Sequence, residues 1–180
     1  MENLNLKDFL EYSYLSGIET SPDEKNIGFV VHKGDYEENN YKSNIWVINK
    51  ETKKYFRLTG IGEEKSFLWL NETEILFPSM RDKKLKAKIE EGEKWTCYYS
   101  ISINGGEAQE YMRIPLNVTS IKKIDEENFL LTAQFDNYGI NLNELTGEER
   151  AQAIKKIKED KDYEILDEIP FWSNGGGFTN

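Results

Sequence analysis

The sequence holds one cysteine, Cys97, one histidine, His32, and four prolines in 180 residues. A single cysteine excludes an internal disulfide framework and a cysteine-ligated zinc site, and a single histidine excludes a multi-histidine metal centre. Positive charge is in short supply: 23 Lys and Arg stand against 33 Asp and Glu, a formal net charge of −10. Nucleic-acid binding needs clustered cations to neutralise phosphate, so this balance argues against it. Long apolar runs are missing too. The longest clean stretch is Phe67-Leu68-Trp69-Leu70, far below the roughly 20 residues of a membrane-spanning helix. Residues 1–8 lack the basic start and apolar centre of a signal peptide. Together these absences point to a reducing, cytoplasmic setting away from the membrane. What the chain has in plenty is aromatic side chains, with 10 Tyr, 9 Phe and 4 Trp, too many for a disordered polymer. The length allows one domain or slightly more.

Residues 1–20 read as an N-terminal arm, extended or with a short helical turn, because Phe9, Leu10, Tyr12, Tyr14 and Leu15 follow no fixed period. From Ser21 the pattern sharpens. Ser21-Pro22-Asp23-Glu24-Lys25-Asn26 is a turn, since Pro fixes φ and Asp bonds its own backbone. Ile27-Gly28-Phe29-Val30-Val31-His32 is then apolar on both faces, as strands covered on both sides are. A polar loop is expected over residues 33–43. Ile45-Trp46-Val47-Ile48 and Tyr55-Phe56-Arg57-Leu58-Thr59 read as two more strands around the turn Asn49-Lys50-Glu51-Thr52. The order then recurs: a polar turn at Asn71-Glu72-Thr73-Glu74, a run at Ile75-Leu76-Phe77 and a long polar loop over residues 80–94. Tyr99-Ser100-Ile101-Ser102-Ile103 alternates, Asn104-Gly105-Gly106 signals a hairpin, and residues 108–114 return. A third start comes at Asp125-Glu126-Glu127-Asn128, before Phe129-Leu130-Leu131-Thr132.

The three starts, at Asp23, Asn71 and Asp125, are spaced 48 and 54 residues apart, and Trp46 and Ile101 are 55 apart. Units of about 40–50 residues with several short strands each are the mark of propeller blades. One such unit cannot bury its own sheet faces, so neighbours must stack. Near the end, Thr146-Gly147-Glu148-Glu149 reads as a capping box opening a short surface helix over about residues 147–160, with a thin stripe of Ala153, Ile154 and Ile157. The expected fold is therefore mainly all-β: a partial β-propeller of about three four-stranded antiparallel blades over residues 21–180, with one short surface helix.

Ser21-Pro22-Asp23-Glu24-Lys25-Asn26-Ile27-Gly28-Phe29-Val30 resembles the blade start of the prolyl oligopeptidase-family serine peptidases, a recurring Ser-Pro-Asp-Gly-Lys followed by Ile-Ala-Phe. Asn44-Ile45-Trp46-Val47-Ile48 and Phe56-Arg57-Leu58-Thr59 are similar to the next part of that blade. Residues 166–175, Leu-Asp-Glu-Ile-Pro-Phe-Trp-Ser-Asn-Gly, resemble a segment of the acylaminoacyl-peptidase and dipeptidyl-aminopeptidase branch. Glu24 stands where the pattern has Gly, and Gly28 where it has Ala. The resemblance implies an N-terminal propeller that restricts a separate C-terminal α/β-hydrolase domain to short peptides. In that domain the nucleophile sits in Gly-x-Ser-x-Gly, a motif this sequence lacks. The chain is then expected to be a non-catalytic propeller portion, with the hydrolase domain of the same longer protein and short peptides as its partners. TolB-like or WD-type propellers that only bind are the alternative, and a propeller glycosidase is a third.

The chemically capable residues read as structural. A relay through His32 needs a nucleophile within hydrogen-bond reach, and no motif marks one. Cys97, between Trp95-Thr96 and Tyr98-Tyr99, reads as a buried thiol. Arg81, Lys83, Lys84, Lys86 and Lys88 are followed at once by Glu90, Glu91 and Glu93 without interleaved aromatics, the composition of a solvated loop. Gly175-Gly176-Gly177 lacks the Lys-Ser/Thr ending of a phosphate loop and reads as a turn. The acidic groups Glu37-Glu38, Asp125-Glu126-Glu127 and Asp167-Glu168 would need a partner carboxyl roughly 5–10 Å away across a cleft to act as a glycosidase pair, and they read as solvated turns. Asn71-Glu72-Thr73 and Asn117-Val118-Thr119 fit the glycosylation acceptor pattern and, with no signal peptide, read as chance matches. No catalytic, cofactor-binding or metal-binding residue is assigned, no nucleic acid or membrane is expected as a partner, and open propeller edges are expected to favour self-association.

Overall fold

A computed structural model describes residues 8–136 and 139–160. Ten strands form three antiparallel sheets. β1 (Ser13–Thr20), β2 (Asn26–Asp35), β3 (Asn40–Asn49) and β4 (Tyr55–Arg57) make the first, in that spatial order. β5 (Leu68–Trp69), β6 (Glu74–Pro78), β7 (Thr96–Ser102) and β8 (Gln109–Ile114) make the second. β9 (Asn117–Lys123) and β10 (Phe129–Gln134) pair as a two-stranded third. Two α-helices, α1 (Lys83–Glu90) and α2 (Gly147–Asp160), and two short 3₁₀ turns, Asp8–Glu11 and Leu142–Glu144, complete the described chain.

The repeated turns sit between the first and second strands of each sheet. Asp23 Oδ1 accepts from Lys25 N, Asn71 Oδ1 from Thr73 N and Glu74 N, and Asp125 Oδ1 from Glu127 N and Asn128 N. A short side chain bonding the backbone two residues on fixes the reversal locally. The closing backbone bonds also correspond: Ser21 N to Asn26 O, Leu70 N to Glu74 O, and Ile124 N to Asn128 O. The same small device starts all three hairpins.

Strand periodicity explains the stacking. Successive side chains point to opposite faces. Ile75 and Phe77 of β6, with Cys97, Tyr99 and Ile101 of β7, join Val30, Ile45 and Val47 of the first sheet in one buried cluster with Trp69. Their neighbours Leu76 and Tyr98 join Leu70 in a second cluster, against which Met112, Val118, Ile121 and Phe129 pack. The second sheet is thus covered on both sides, by the first sheet on one and the third on the other. A fully buried Ile or Phe contributes about 1.5–3 kcal/mol, and Ile45, Ile75 and Phe77 are fully buried.

Several elements depart from the sequence reading. Residues 13–20 are the edge strand of the first sheet, paired to β2, so that sheet begins eight residues before Ser21. The polar stretch 33–43 is mostly strand, with β2 and β3 paired out to Asp35↔Asn40. Residues 80–94, expected to be a loop, contain α1, because Asp82 caps it by accepting from Lys84 N and Leu85 N, and Leu85 is buried. β9 lies in a stretch with no assignment from sequence. The third sheet has two strands among the described residues. Residues 163–180, including Asp167-Glu168 and the triple glycine, lie outside the described residues.

Candidate functional site

The hairpin of β2 and β3, ten residues per strand, outruns the five and seven residues of β6 and β7. The face of the first sheet that packs on the second is therefore left uncovered toward the hairpin's tip. There it forms a groove of about 360 Å³ lined by Tyr14, His32, Tyr41, Ser43 and Lys65. The register places Tyr14 opposite His32 and His32 opposite Ser43. Tyr14 and Tyr41 meet edge to face, centroids 6.2 Å apart at 75°. The same two tyrosines line an adjoining pocket of about 260 Å³ with Phe9, Leu10 and Tyr36.

His32 has the partners that its sequence context did not mark. Its Nε2 lies 2.6 Å from Ser16 Oγ and its Nδ1 2.8 Å from Ser43 Oγ. Ser43 is fully buried. Its backbone is clamped by the connection that follows β4: Ser43 N donates to Gly62 O at 2.7 Å, and Glu64 N donates to Ser43 O at 3.1 Å. On the other side, the β1–β2 pairing slips between Ser16 and Glu19, and Gly17 takes a φ of +59° there. Glycine adopts that conformation without a Cβ penalty, and such a bulge re-aims the neighbouring side chain.

A second polar cluster holds the first two sheets together. Glu64 has no exposed surface. Its Oε2 accepts from Asn44 Nδ2, Thr59 Oγ1 and Gly62 N. Its Oε1 faces Arg81 Nη2 at 3.8 Å, and no hydrogen-bond donor reaches it. The Arg81 guanidinium lies over the rings of Phe77 and Tyr99, 5.5 and 5.1 Å from their centroids. A carboxylate held against the first sheet by the connection after β4 thus meets a cation that leaves the second sheet just after β6.

The remaining sequence candidates are placed as follows. Cys97 is buried between the first and second sheets, and burial pushes its thiol up. Of the basic run, Arg81 turns inward and Lys88 lies 3.7 Å from buried Glu93, while Lys83, Lys84 and Lys86 sit exposed on α1. Burial pushes Glu93 up, but bonds from Trp95 and Arg150 and the charge of Lys88 outweigh it and hold the carboxyl below the usual range. Through Arg150, which reaches Glu91 at 2.7 Å and Glu93 at 2.8 Å, α2 is tied to the end of α1. Glu37 and Glu38 donate their backbone N–H groups to Asp35, and Asp125-Glu126-Glu127 forms the third hairpin turn. Asn71 is occupied within its own turn, and Asn117 Nδ2 donates to Gln134.

No family model matches the chain, and no curated protein matches it. Solved structures do. An acylaminoacyl peptidase from Pyrococcus horikoshii matches 96% of this chain at 18% identity with a TM-score of 0.59. The fold is that of part of a β-propeller. An acylaminoacyl peptidase in complex with Z-Gly-Gly-Phe-chloromethyl ketone matches the same share of the chain at 18% identity with a TM-score of 0.60. The propeller domain of the Trilobed protease from Pyrococcus furiosus matches 68% of the chain at 16% identity with a TM-score of 0.49. The chain spans 22% of the length of each of the two acylaminoacyl peptidase chains. Among the described residues, no helix is long and apolar enough to cross a membrane.

Proposed function

We propose that this chain is the propeller portion of a serine peptidase of the acylaminoacyl-peptidase type, and that its sheets limit a separate α/β-hydrolase domain to short peptides. The observation that carries the reading is the match of 96% of the chain to 22% of an acylaminoacyl peptidase. The blade-start residues Ser21-Pro22-Asp23 support it, since they form the same turn that recurs at Asn71 and Asp125. Bond cleavage in this reading belongs to a serine outside residues 1–180, and the propeller acts by steric exclusion.

The test uses the complete natural polypeptide that contains these residues. It is assayed on acetyl-aminoacyl and aminoacyl p-nitroanilides and on acetylated peptides of increasing length. The reading expects amide hydrolysis that falls off as the peptide lengthens, from a serine outside residues 1–180. A complete polypeptide made of further propeller sheets alone, with no hydrolase domain and no amide hydrolysis, overturns it in favour of a binding propeller.

A further inference from the structure

We propose that Ser16 is an activated nucleophile, with His32 as its base and Ser43 as the group that orients the base, and that the groove beside it accepts carboxylic esters with aromatic leaving groups. A serine hydroxyl becomes nucleophilic when an adjacent base can take its proton, and the base works when a third group fixes its tautomer. The three side chains stand in that relation: 2.6 Å from Ser16 Oγ to His32 Nε2, then 2.8 Å from His32 Nδ1 to Ser43 Oγ. With the proton on Nδ1 donated to Ser43, Nε2 keeps its lone pair for the Ser16 hydroxyl. Ser43 is buried and its backbone bonded on both sides, so it holds the ring in place. Ser16 is exposed, and the strand bends directly after it at Gly17. The groove supplies aromatic walls in Tyr14 and Tyr41, and Lys65 places a cation on its lining.

The step balances as acyl transfer. Ser16 Oγ bonds to the carbonyl carbon, its proton passes to His32 Nε2, and the aryl oxygen departs with that proton as a phenol. Water then attacks the acyl-serine, His32 takes a proton from it, and that proton returns to Ser16 Oγ as the acid leaves. Amide hydrolysis belongs to the separate domain of the preceding section, so the two readings succeed or fail separately.

The experiment uses the full 180-residue chain with a fluorophosphonate probe and p-nitrophenyl butyrate, and maps the modified residue by peptide mass spectrometry. The expected result is one label per chain on Ser16 and a p-nitrophenol burst of matching size. Ser16→Ala abolishes both. His32→Gln, which can keep a hydrogen bond but not take the proton, slows labelling by about 100-fold or more. Ser43→Ala slows it by a smaller factor. Ser16 is exposed and loses one oxygen in its variant, so that variant folds and carries the decision. Labelling that is unchanged in Ser16→Ala, that falls on other serines, or that is no faster in the parent than in His32→Gln overturns the proposal.

Discussion

Removing the guanidinium of Arg81 leaves a buried charge without its cation. Glu64 has no exposed surface, and its three hydrogen bonds all fall on Oε2, so Oε1 depends on Arg81 at 3.8 Å. Breaking a buried ion pair from one side costs about 3–5 kcal/mol. Arg81 keeps 29% of its side chain exposed, so water can follow where it leaves, and the lower end of that range applies. The contacts over Phe77 and Tyr99 add about 0.5–1 kcal/mol at such a half-exposed site. Arg81→Ala should therefore destabilise the chain by about 3.5–4 kcal/mol. Glu64→Gln in the Arg81→Ala background removes the stranded charge while keeping an acceptor for the three donors, and should recover more than half of that loss. The assay is urea unfolding of the four proteins of the cycle, followed by tryptophan fluorescence, to which Trp69, buried between the first two sheets, contributes. An Arg81→Ala cost below about 0.5 kcal/mol, the typical scale of a surface ion pair, would refute the argument. So would a double variant no more stable than Arg81→Ala alone.

Gly28 stands where the resembling family has Ala, and the structure supplies the reason: a Cβ there would lie 2.7 Å from two ring atoms of Phe67. Gly28→Ala should cost about 1–3 kcal/mol in the same unfolding assay, and much less when combined with Phe67→Leu. Acidification should weaken the fold. Among the described residues Asp23, Asp35, Asp82, Glu93, Glu110 and Asp125 are held below their ordinary range, whereas burial raises Glu19. A carboxyl with a depressed folded pKa adds stability above its unfolded value, here 3.8 for Asp and 4.5 for Glu, and loses it as pH falls through the folded value. The melting temperature should thus hold from pH 7 to about pH 5 and drop toward pH 3. Arg150→Ala should speed amide hydrogen exchange in α2 while leaving β6 and β7 protected, since Arg150 ties that helix to Glu91 and Glu93; equal exchange in the variant and the parent would contradict this. The first sheet's outer face carries half-buried Phe29, Trp46 and Ile48, and the end of the third exposes Leu130 and Phe135. A polypeptide of these residues alone should self-associate in light scattering, and a stable monomer at high concentration would count against that.

Short-range physics made much of this fold legible in the sequence. The turns at Asp23, Asn71 and Asp125 announce themselves because Asp and Asn bond their own backbones. Ile75-Leu76-Phe77 reads as an apolar run, and the structure makes it part of a strand covered on both faces. α1 was concealed by composition, since Leu85 and Ile89 are the only large apolar side chains among its eight residues. The cap at Asp82 and the four-residue spacing of those two side chains were the available signals. β9 alternates weakly and is mostly half-buried or exposed, so neither period stands out. The groove residues were out of reach for a different reason. His32 meets Ser43 only through the register of a hairpin whose strands run on through a polar stretch. It meets Ser16 only through a strand with no periodic pattern, broken by a bulge. Glu64 lies in a glycine-rich break, where an acidic residue ordinarily faces solvent, and only the packed sheets reveal that it is buried.

The stacking of tandem sheets is tested most directly at two adjacent residues. Ile75 and Leu76 are neighbours in β6, yet they belong to different buried clusters. In a methyl-labelled sample, nuclear Overhauser contacts from Ile75 should reach Val30, Ile45 and Val47 of the first sheet, and those from Leu76 should reach Val118 and Ile121 of the third. Contacts from both residues to one and the same sheet would show a sandwich or barrel in place of stacked blades.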